Sequence, residues 1–466
     1  MSSDVTNSGV LRSSVIAGVA TAKLGGRGTD RSFWRDFAEQ HWERAPLVMR
    51  QPLPEPLATP EQLFAIVVDA SDKYRQDGRT TGIPSERSGR IRLNIGNAVL
   101  LTDVERHLPL FGDGSLRGYA ERMHHAFEGR PFELIVHQLQ AYDAGLWRRL
   151  GRFVHGLNAH IGLPADKTEA VLFLRNHAAT SFGIHQDDAS VFMFVLQGRK
   201  RLLAWPEETF RGKEASFASL DYERHRDTAM VLEGEAGDVI YWPSQLWHVG
   251  EAEPGLSASI SLGLRLHHSP LADVISIATA LLARNRAATA IDTYPCDWNN
   301  PRRTAESLPA PMQQGLHQLR DLIDSGELAQ ALQMHWMNRV TGAGFTRAPA
   351  PRAAEPVCDR SMVGRRDEFP LAWRSLRPGY IMISAAGCTL PVAESPGVIS
   401  LLEKLSAGNP QPVGQLIEDC AALDTGGEPS YLRHILAELI ARGAVELLPA
   451  ATTDATVSRA VLLDQT

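Results

Sequence analysis

The stretch Gly183-Ile-His185-Gln-Asp187, the apolar run from Val191 to Leu196 behind it, and Gly237-Asp-Val-Ile-Tyr-Trp-Pro243 followed by His248 decide how this chain is read. Residues i and i+2 of a strand project from one face. At the start of the apolar strand, the His185 imidazole and the Asp187 carboxylate can therefore share one metal ion. A Gly-Asp turn, a strand and a proline-terminated bend bring His248 back over the same barrel mouth, where a third ligand belongs. Two imidazoles and one carboxylate on one side of a metal leave three positions open, the facial arrangement suited to non-haem Fe(II) and oxygen chemistry. The tripeptide alone arises cheaply. His225-Arg226-Asp227 repeats it inside the charged run 221–227, which reads as a solvated loop.

Working outward, residues 170–265 form short runs rich in Val, Ile, Leu, Phe and Trp between Gly, Pro and charged turns. The runs Ala170–Leu174, Val191–Leu196, Arg201–Trp205, Thr228–Leu232, Asp238–Trp242 and Ala258–Leu266 are expected strands. Together they predict a mainly β core, a double-stranded β-helix of the jelly-roll cupin type, with flanking helices. Upstream, Phe33, Trp34, Phe37 and Trp42 recur at helical spacing until Pro46, and an extended Leu47-Val-Met49 follows. A short helix at Pro60–Asp69, a surface loop carrying Gly78, Gly82 and Gly89, a strand within Arg90–Leu101, and helices at 115–128 and 144–161 complete this half.

After Pro270 the pattern is helical, at Ala272–Arg284 and Met312–Val340, and Ala348–Pro356 is a linker by composition. The last part shows an extended Tyr380–Ile383. A helix follows that is capped by Ser395-Pro396, and a helix at 429–442 stops at Gly443 before Val445–Leu448. That order suggests a winged helix. The expected organisation is a tail over 1–28, a catalytic domain over 29–268, a helical segment over 269–345, a linker over 346–361, a winged-helix-like α+β domain over 362–450, and a tail over 451–466.

Composition narrows the class. The chain of 466 residues is 44% apolar and 22% charged, as soluble globular proteins are, which excludes collagen-like, coiled-coil and wholly disordered chains. A net charge of −7 gives no global field for a polyanion. Four cysteines, at 296, 358, 388 and 420, are too few and too far apart for a metal knuckle or disulfide framework and read as reduced thiols of a cytoplasmic protein. No apolar run reaches the ~20 residues that span a bilayer, and the stretch from Val15 to Ala20 lacks a convincing cleavage site.

An iron centre that activates O₂ needs electrons. 2-Oxoglutarate supplies them when its keto acid chelates the metal and a cation holds its far carboxylate. Gly198-Arg-Lys-Arg201 offers three cations at the end of the strand beside Asp187, any one of which can reach inward.

Residues 30–268 resemble the JmjC/cupin-type Fe(II)/2-oxoglutarate-dependent oxygenases, in their bacterial ribosomal-oxygenase-like branch. Three signatures carry the likeness: Phe37-Ala-Glu-Gln-His-Trp42-Glu-Arg-Ala-Pro46; His185-x-Asp187 with Phe192–Gln197-Gly-x-Lys200-Arg201; and Ser259-Ile-Ser-Leu-Gly-Leu-Arg265. The resemblance implies His185, Asp187 and His248 as iron ligands and Lys200 as partner of the 2-oxoglutarate C5 carboxylate. Ser259 or Ser261 would add a hydroxyl to the cosubstrate pocket. Many ribosomal-oxygenase members have arginine where Lys200 stands; lysine holds the carboxylate as a point charge, not bidentately.

Strand alternation turns Asp188 away from the metal, and His177 reads as a core or surface histidine. Trp242 and Trp247 flank the ligand and read as barrel packing. The implied activity is hydroxylation of a peptide or protein side chain, with O₂ consumed and succinate and CO₂ released. N-Demethylation follows the same radical course and is not separable by sequence. The family also implies a homodimer through the 269–345 helices. Helix 429–442 offers Arg433, His434 and Arg442 against Glu438, a poor footprint for nucleic acid, so a protein partner is expected. The two rival readings are a tailoring oxygenase whose winged helix holds a leader peptide, and a cupin–winged-helix regulator; the complete ligand set argues against the second.

Overall fold

In a computed structural model of the protein the described residues are 20–23, 29–81, 90–96, 98–178, 183–210, 222–284, 293–294, 296, 298–345, 347–424 and 428–448. The expected 451–466 tail, the 82–89 loop and most of the 1–28 tail lie outside them. The chain divides into two compact units, one of residues 1–146, 156–162 and 168–266, the other of residues 147–155, 163–167 and 267–466.

The first unit is a cupin-like pair of β-sheets with flanking helices. Its strands are β1 (Ala20–Lys23), β2 (Leu47–Arg50), β3 (Ile91–Ile95), β4 (Ala98–Val99), β5 (Phe132–Val136), β6 (Thr168–Arg175), β7 (Ala189–Gln197), β8 (Arg199–Trp205), β9 (Met230–Glu235), β10 (Val239–Trp242), β11 (Trp247–Ala252) and β12 (Ser257–Arg265). The large sheet runs β1-β2-β10-β7-β12-β6-β5-β3-β4, and the small one β11-β8-β9. All pairs are antiparallel except β1 with β2.

Period-two alternation decides what each strand shows to the interior. On β6, Glu169, Val171, Phe173 and Arg175 line a cavity, and on β12 Ser259, Ser261, Gly263 and Arg265 do so. Register aligns them into layers: Gly263 lies opposite Glu169 and Val191, Ser261 opposite Val171 and Met193, and Ser259 opposite Phe173. The other face of the large sheet packs on the helix Arg31–Gln40, whose Trp34 and Phe37 are 1% exposed and meet Phe192. Asp30 caps that helix by accepting from the Phe33 N–H. Gly156 is required under Trp34: a Cβ there would lie 2.1 Å from the indole.

Three local expectations change. The helix from Pro60 continues to Thr81 and contains Gly78, because tertiary contacts override the modest cost of one helical glycine. Thr228 ends a 3-10 turn over Glu223–Thr228, and the strand begins at Met230. β11 carries alternating polar residues and no β-branched run, which is why pattern alone shows only a bend at His248.

In the second unit, helices Pro270–Arg284, Ala310–Asp324 and Glu327–Thr341 pack through Ala278, Leu322 and Leu328. The single helix expected over 312–340 breaks at Ser325-Gly326, where Gly326 takes φ +77°. Then come β13 (Met362–Arg365), β14 (Leu371–Arg377), β15 (Tyr380–Ala385), β16 (Cys388–Ala393), β17 (Gln411–Pro412) and β18 (Val445–Leu448). β14-β15-β16 is a meander, of which only the most apolar strand was legible, and β17-β13-β18 is a separate sheet. Helices Pro396–Ser406, Val413–Ala421 and Pro429–Arg442 accompany the latter. No helix among the described residues is long and apolar enough to cross a membrane.

Candidate metal centre

His185, Asp187 and His248 are brought together with one ligand atom each, all within 4.8 Å of one another. The i, i+2 spacing predicts His185 and Asp187 at the start of a strand. They lie instead in the segment leading into β7, where His185 forms an isolated antiparallel bridge with His248. The bridge has two hydrogen bonds, His185 N–H to His248 O at 3.1 Å and His248 N–H to His185 O at 2.8 Å. Paired residues of such a bridge project to one side, so the two rings come together, their centroids 4.3 Å apart.

The tautomers follow from the partners. His185 Nδ1 lies 2.9 Å from the Gly183 carbonyl and His248 Nδ1 3.0 Å from that of Leu246. A carbonyl only accepts, so each Nδ1 carries the proton and each Nε2 presents a lone pair. Those Nε2 atoms lie 3.9 and 3.4 Å from the Asp187 carboxylate oxygens.

Burial drives the His185 pKa down to about 4, aided by the neighbouring His248, so its ring is neutral at pH 7. Burial pushes the Asp187 carboxyl up, but His248, His185 and Arg265 outweigh it and hold the group at about 2. The cluster thus presents two imidazoles, that of His185 neutral at pH 7, and one carboxylate, donor types that a divalent ion takes. Asp188 makes an ion pair with Arg265.

The walls behind the ligands are tied by Glu43, a residue within the Phe37–Pro46 signature. Its carboxylate accepts from the Ser190 hydroxyl, from the Ser244 hydroxyl at 2.6 Å and from the Ser244 N–H at 3.2 Å. One side chain therefore fixes the segment after Asp187 to the bend before His248.

The cavity beneath the ligands holds about 310 Å³. Its floor is cationic. Lys200 on β8 is 3% exposed, and burial together with nearby Arg175 pushes its pKa well down, against a smaller opposing pull from Glu133. Arg175, also buried, lies 3.8 Å from Glu133 and donates to the Gly250 carbonyl at 3.2 Å. Asn94 donates to Glu133 at 3.1 Å. Lys200 and Arg175 thus place two buried basic side chains at this end of the cavity, where an anionic group of a ligand could meet them. The Ser259 hydroxyl is buried in the lining with no hydrogen-bond partner among the described residues, and Ser261 lines the wall above it. Gly250, two residues beyond His248, leaves the middle open: a Cβ there would meet nothing within 4 Å.

Arg175, Glu133 and Gly250 were not singled out from the sequence. The signal for the first two is a charge inside an apolar strand, in Phe132-Glu-Leu-Ile-Val136 and at the end of Ala170–Arg175. His177 is not among the described residues lining the cavity, whereas Trp242 is. Trp247 packs with Ile184, Leu203 and Trp205 instead.

The fold and site define a cupin-like jelly roll with a two-histidine, one-carboxylate centre at the mouth of a cavity. Residues 162–270 match the family model described as the JmjC domain. The chain is similar to the Escherichia coli ribosomal oxygenase YcfD, at 16% identity and TM-score 0.44, over 89% of this chain and 98% of that one. The structure of YcfD in complex with cobalt and 2-oxoglutarate gives the same values, 16% identity, TM-score 0.44 and coverage of 89% and 98%. No curated protein matches the sequence.

Proposed function

We propose that this chain is an Fe(II)- and 2-oxoglutarate-dependent oxygenase that hydroxylates a side chain in a peptide or protein. One observation carries the reading: three metal-competent donors within 4.8 Å stand at one end of a cavity that is also lined by the buried basic side chains Lys200 and Arg175. When bound, iron and 2-oxoglutarate supply an oxidant for C–H bonds, one oxygen atom going to substrate as 2-oxoglutarate loses CO₂ and becomes succinate.

The protein's own contribution is placement. His185, Asp187 and His248 would hold the ion, each imidazole fixed by a backbone carbonyl. Lys200 would meet the far carboxylate, with Arg175 adding charge and the Ser259 hydroxyl a hydrogen bond. Gly250 leaves room for the carbon chain between them, and Val171, Met193 and Leu202 make that stretch apolar, excluding water from the reacting centre. Substrate would enter from the metal end, past Glu169 and Arg265.

The accessory elements read consistently. The order of β13, three helices and β18 supports a winged helix. Its helix Pro429–Arg442 has Arg433 paired with Asp359 and Arg442 with Glu438, which favours a protein partner over nucleic acid. The helices over 269–345 would form a homodimer, since Leu271, Ile275, Leu316 and Trp336 stay more than half exposed on them.

The test is succinate release and gain of one oxygen by candidate peptides, followed by mass spectrometry with ferrous salt and 2-oxoglutarate. His185→Ala should abolish both. Succinate formation that is equally fast in that variant refutes the assignment.

A further inference from the structure

Glu43 holds a left-handed backbone, φ +51°, that a residue with a side chain rarely adopts. Such a conformation costs free energy and persists only where surrounding bonds over-determine it. Here they do. The Glu43 N–H donates to the Tyr241 hydroxyl at 3.0 Å, and the carboxylate accepts from the Ser190 hydroxyl, the Ser244 hydroxyl and the Ser244 N–H. The Ser190 proton is thereby committed to Glu43, so at their 3.1 Å contact the Tyr241 phenol donates to Ser190. These bonds close a ring from Glu43 through Tyr241 and Ser190 back to Glu43. Tyr241, Ser190 and Ser244 are all buried, and hydrogen bonds shielded from water polarise one another.

The ring sits where the sheet ladders stop. β7 is paired with β12 only from Ala189 onward, and β10 with β7 only as far as Trp242. Both ligand arms lie beyond those ends: Asp187 comes two residues before β7, and Ser244 belongs to the bend that carries the chain from Trp242 to His248. Across this gap the arms meet through the His185–His248 bridge and through the Gln186 amide, which donates to the Gln245 carbonyl at 2.7 Å. That amide bond is exposed to water, whereas Glu43 grips both arms at buried serines.

We infer that Glu43 is a positioning residue of the metal centre: its carboxylate, bonded to Ser190 and Ser244, holds the Asp187 and His248 arms at ligating separation before an ion arrives. It acts on the ligands through the chain, three residues after Asp187 and four before His248. This role rests on the metal-centre reading above. Groups already held in place need not be ordered when the ion binds, so loss of the tie is felt as weaker metal affinity.

The test is cobalt(II) binding by the full chain, read by calorimetry and by the visible absorption of the ion, which follows its coordination. Glu43→Ala should weaken cobalt about tenfold or more and change the absorption spectrum. Glu43→Gln should bind within about threefold of wild type, because the amide oxygen still accepts from Ser190 and the Ser244 N–H while its NH₂ donates to the Ser244 hydroxyl. Asp238→Ala is the control for lost stability alone. That buried carboxylate accepts from Arg50 and from the Gln51 and Glu235 N–H groups at the opposite end of β10. Its loss should lower Tm and leave cobalt affinity and spectrum unchanged. Wild-type affinity in folded Glu43→Ala overturns the inference, as do equal losses in Glu43→Ala and Asp238→Ala. Should Glu43→Ala not fold, Ser190→Ala combined with Ser244→Ala takes its place, and undiminished affinity there overturns the inference too. A wild type that binds no cobalt refutes the metal centre itself and this role with it.

Discussion

Replacing Lys200 with methionine should make the ligand-free protein more stable and the cosubstrate weaker, two effects of opposite sign from one side chain. The ammonium is 3% exposed and forms no ion pair among the described residues, so folding strips its water and returns little. A buried polar group without a partner costs about 1–3 kcal/mol, and methionine of similar length removes that cost while filling the space. In a domain of this size each kcal/mol raises Tm by about 2–4 °C.

The gain is pH-dependent. Because the folded-state pKa lies well below 10.5, the unfolded chain binds the extra proton below that pH, and wild-type stability rises as pH approaches it. The advantage of Lys200→Met is therefore greatest near neutrality and shrinks toward pH 10. Affinity moves the other way. Loss of a charge-assisted bond costs about 1.5–3 kcal/mol, or a 10- to 150-fold rise in the Kd for 2-oxoglutarate. Arg175, still present on the floor, should keep the loss toward the lower end. Scanning calorimetry with and without 2-oxoglutarate reads both effects. A lower Tm in the ligand-free variant, or an undiminished upward shift on adding 2-oxoglutarate, refutes the reasoning.

Gly250→Leu should fill the space between metal and floor, weakening 2-oxoglutarate at least tenfold while metal affinity stays within about threefold. Comparable losses of both would mean that the substitution distorts β11. The His185 Cε1 proton in the metal-free protein should titrate with a midpoint near pH 4, not 6.5, since burial penalises the imidazolium; an NMR titration with the ordinary midpoint contradicts the geometry. That lowered pKa also makes the fold lose stability as pH falls from 6.5 toward 4, the window in which only the unfolded chain takes up the proton. Light scattering should show a dimer that Leu316→Glu converts to a monomer without changing the helix signal. A wild-type monomer at high concentration removes the proposed assembly.

Local chemistry made much of this legible in the sequence. The helix at 31–40 followed from spaced aromatics and Pro46. The run from Val191 to Leu196 and the closing Ala258–Leu266 were apolar enough to be strands whatever surrounded them. His185, Asp187 and His248 could be nominated because metal ligation needs particular atoms, and few residue types carry them. What the linear pattern could not show is direction and company. That His185 reaches its place through a two-bond bridge to His248, not through a strand of its own, depends on a contact 63 residues away in sequence. The choice among Arg199, Lys200 and Arg201 depends on the register of β8, which buries Lys200 and leaves its neighbours paired with Glu235 and Glu233 at the surface. Arg175 and Glu133 became one site only when β5 was laid beside β6, with Glu133 opposite Arg175. Sequence determines which groups are available, because their chemistry is intrinsic to the residue. Tertiary structure decides which of them share a cavity, because burial and distance exist only once the sheets are paired.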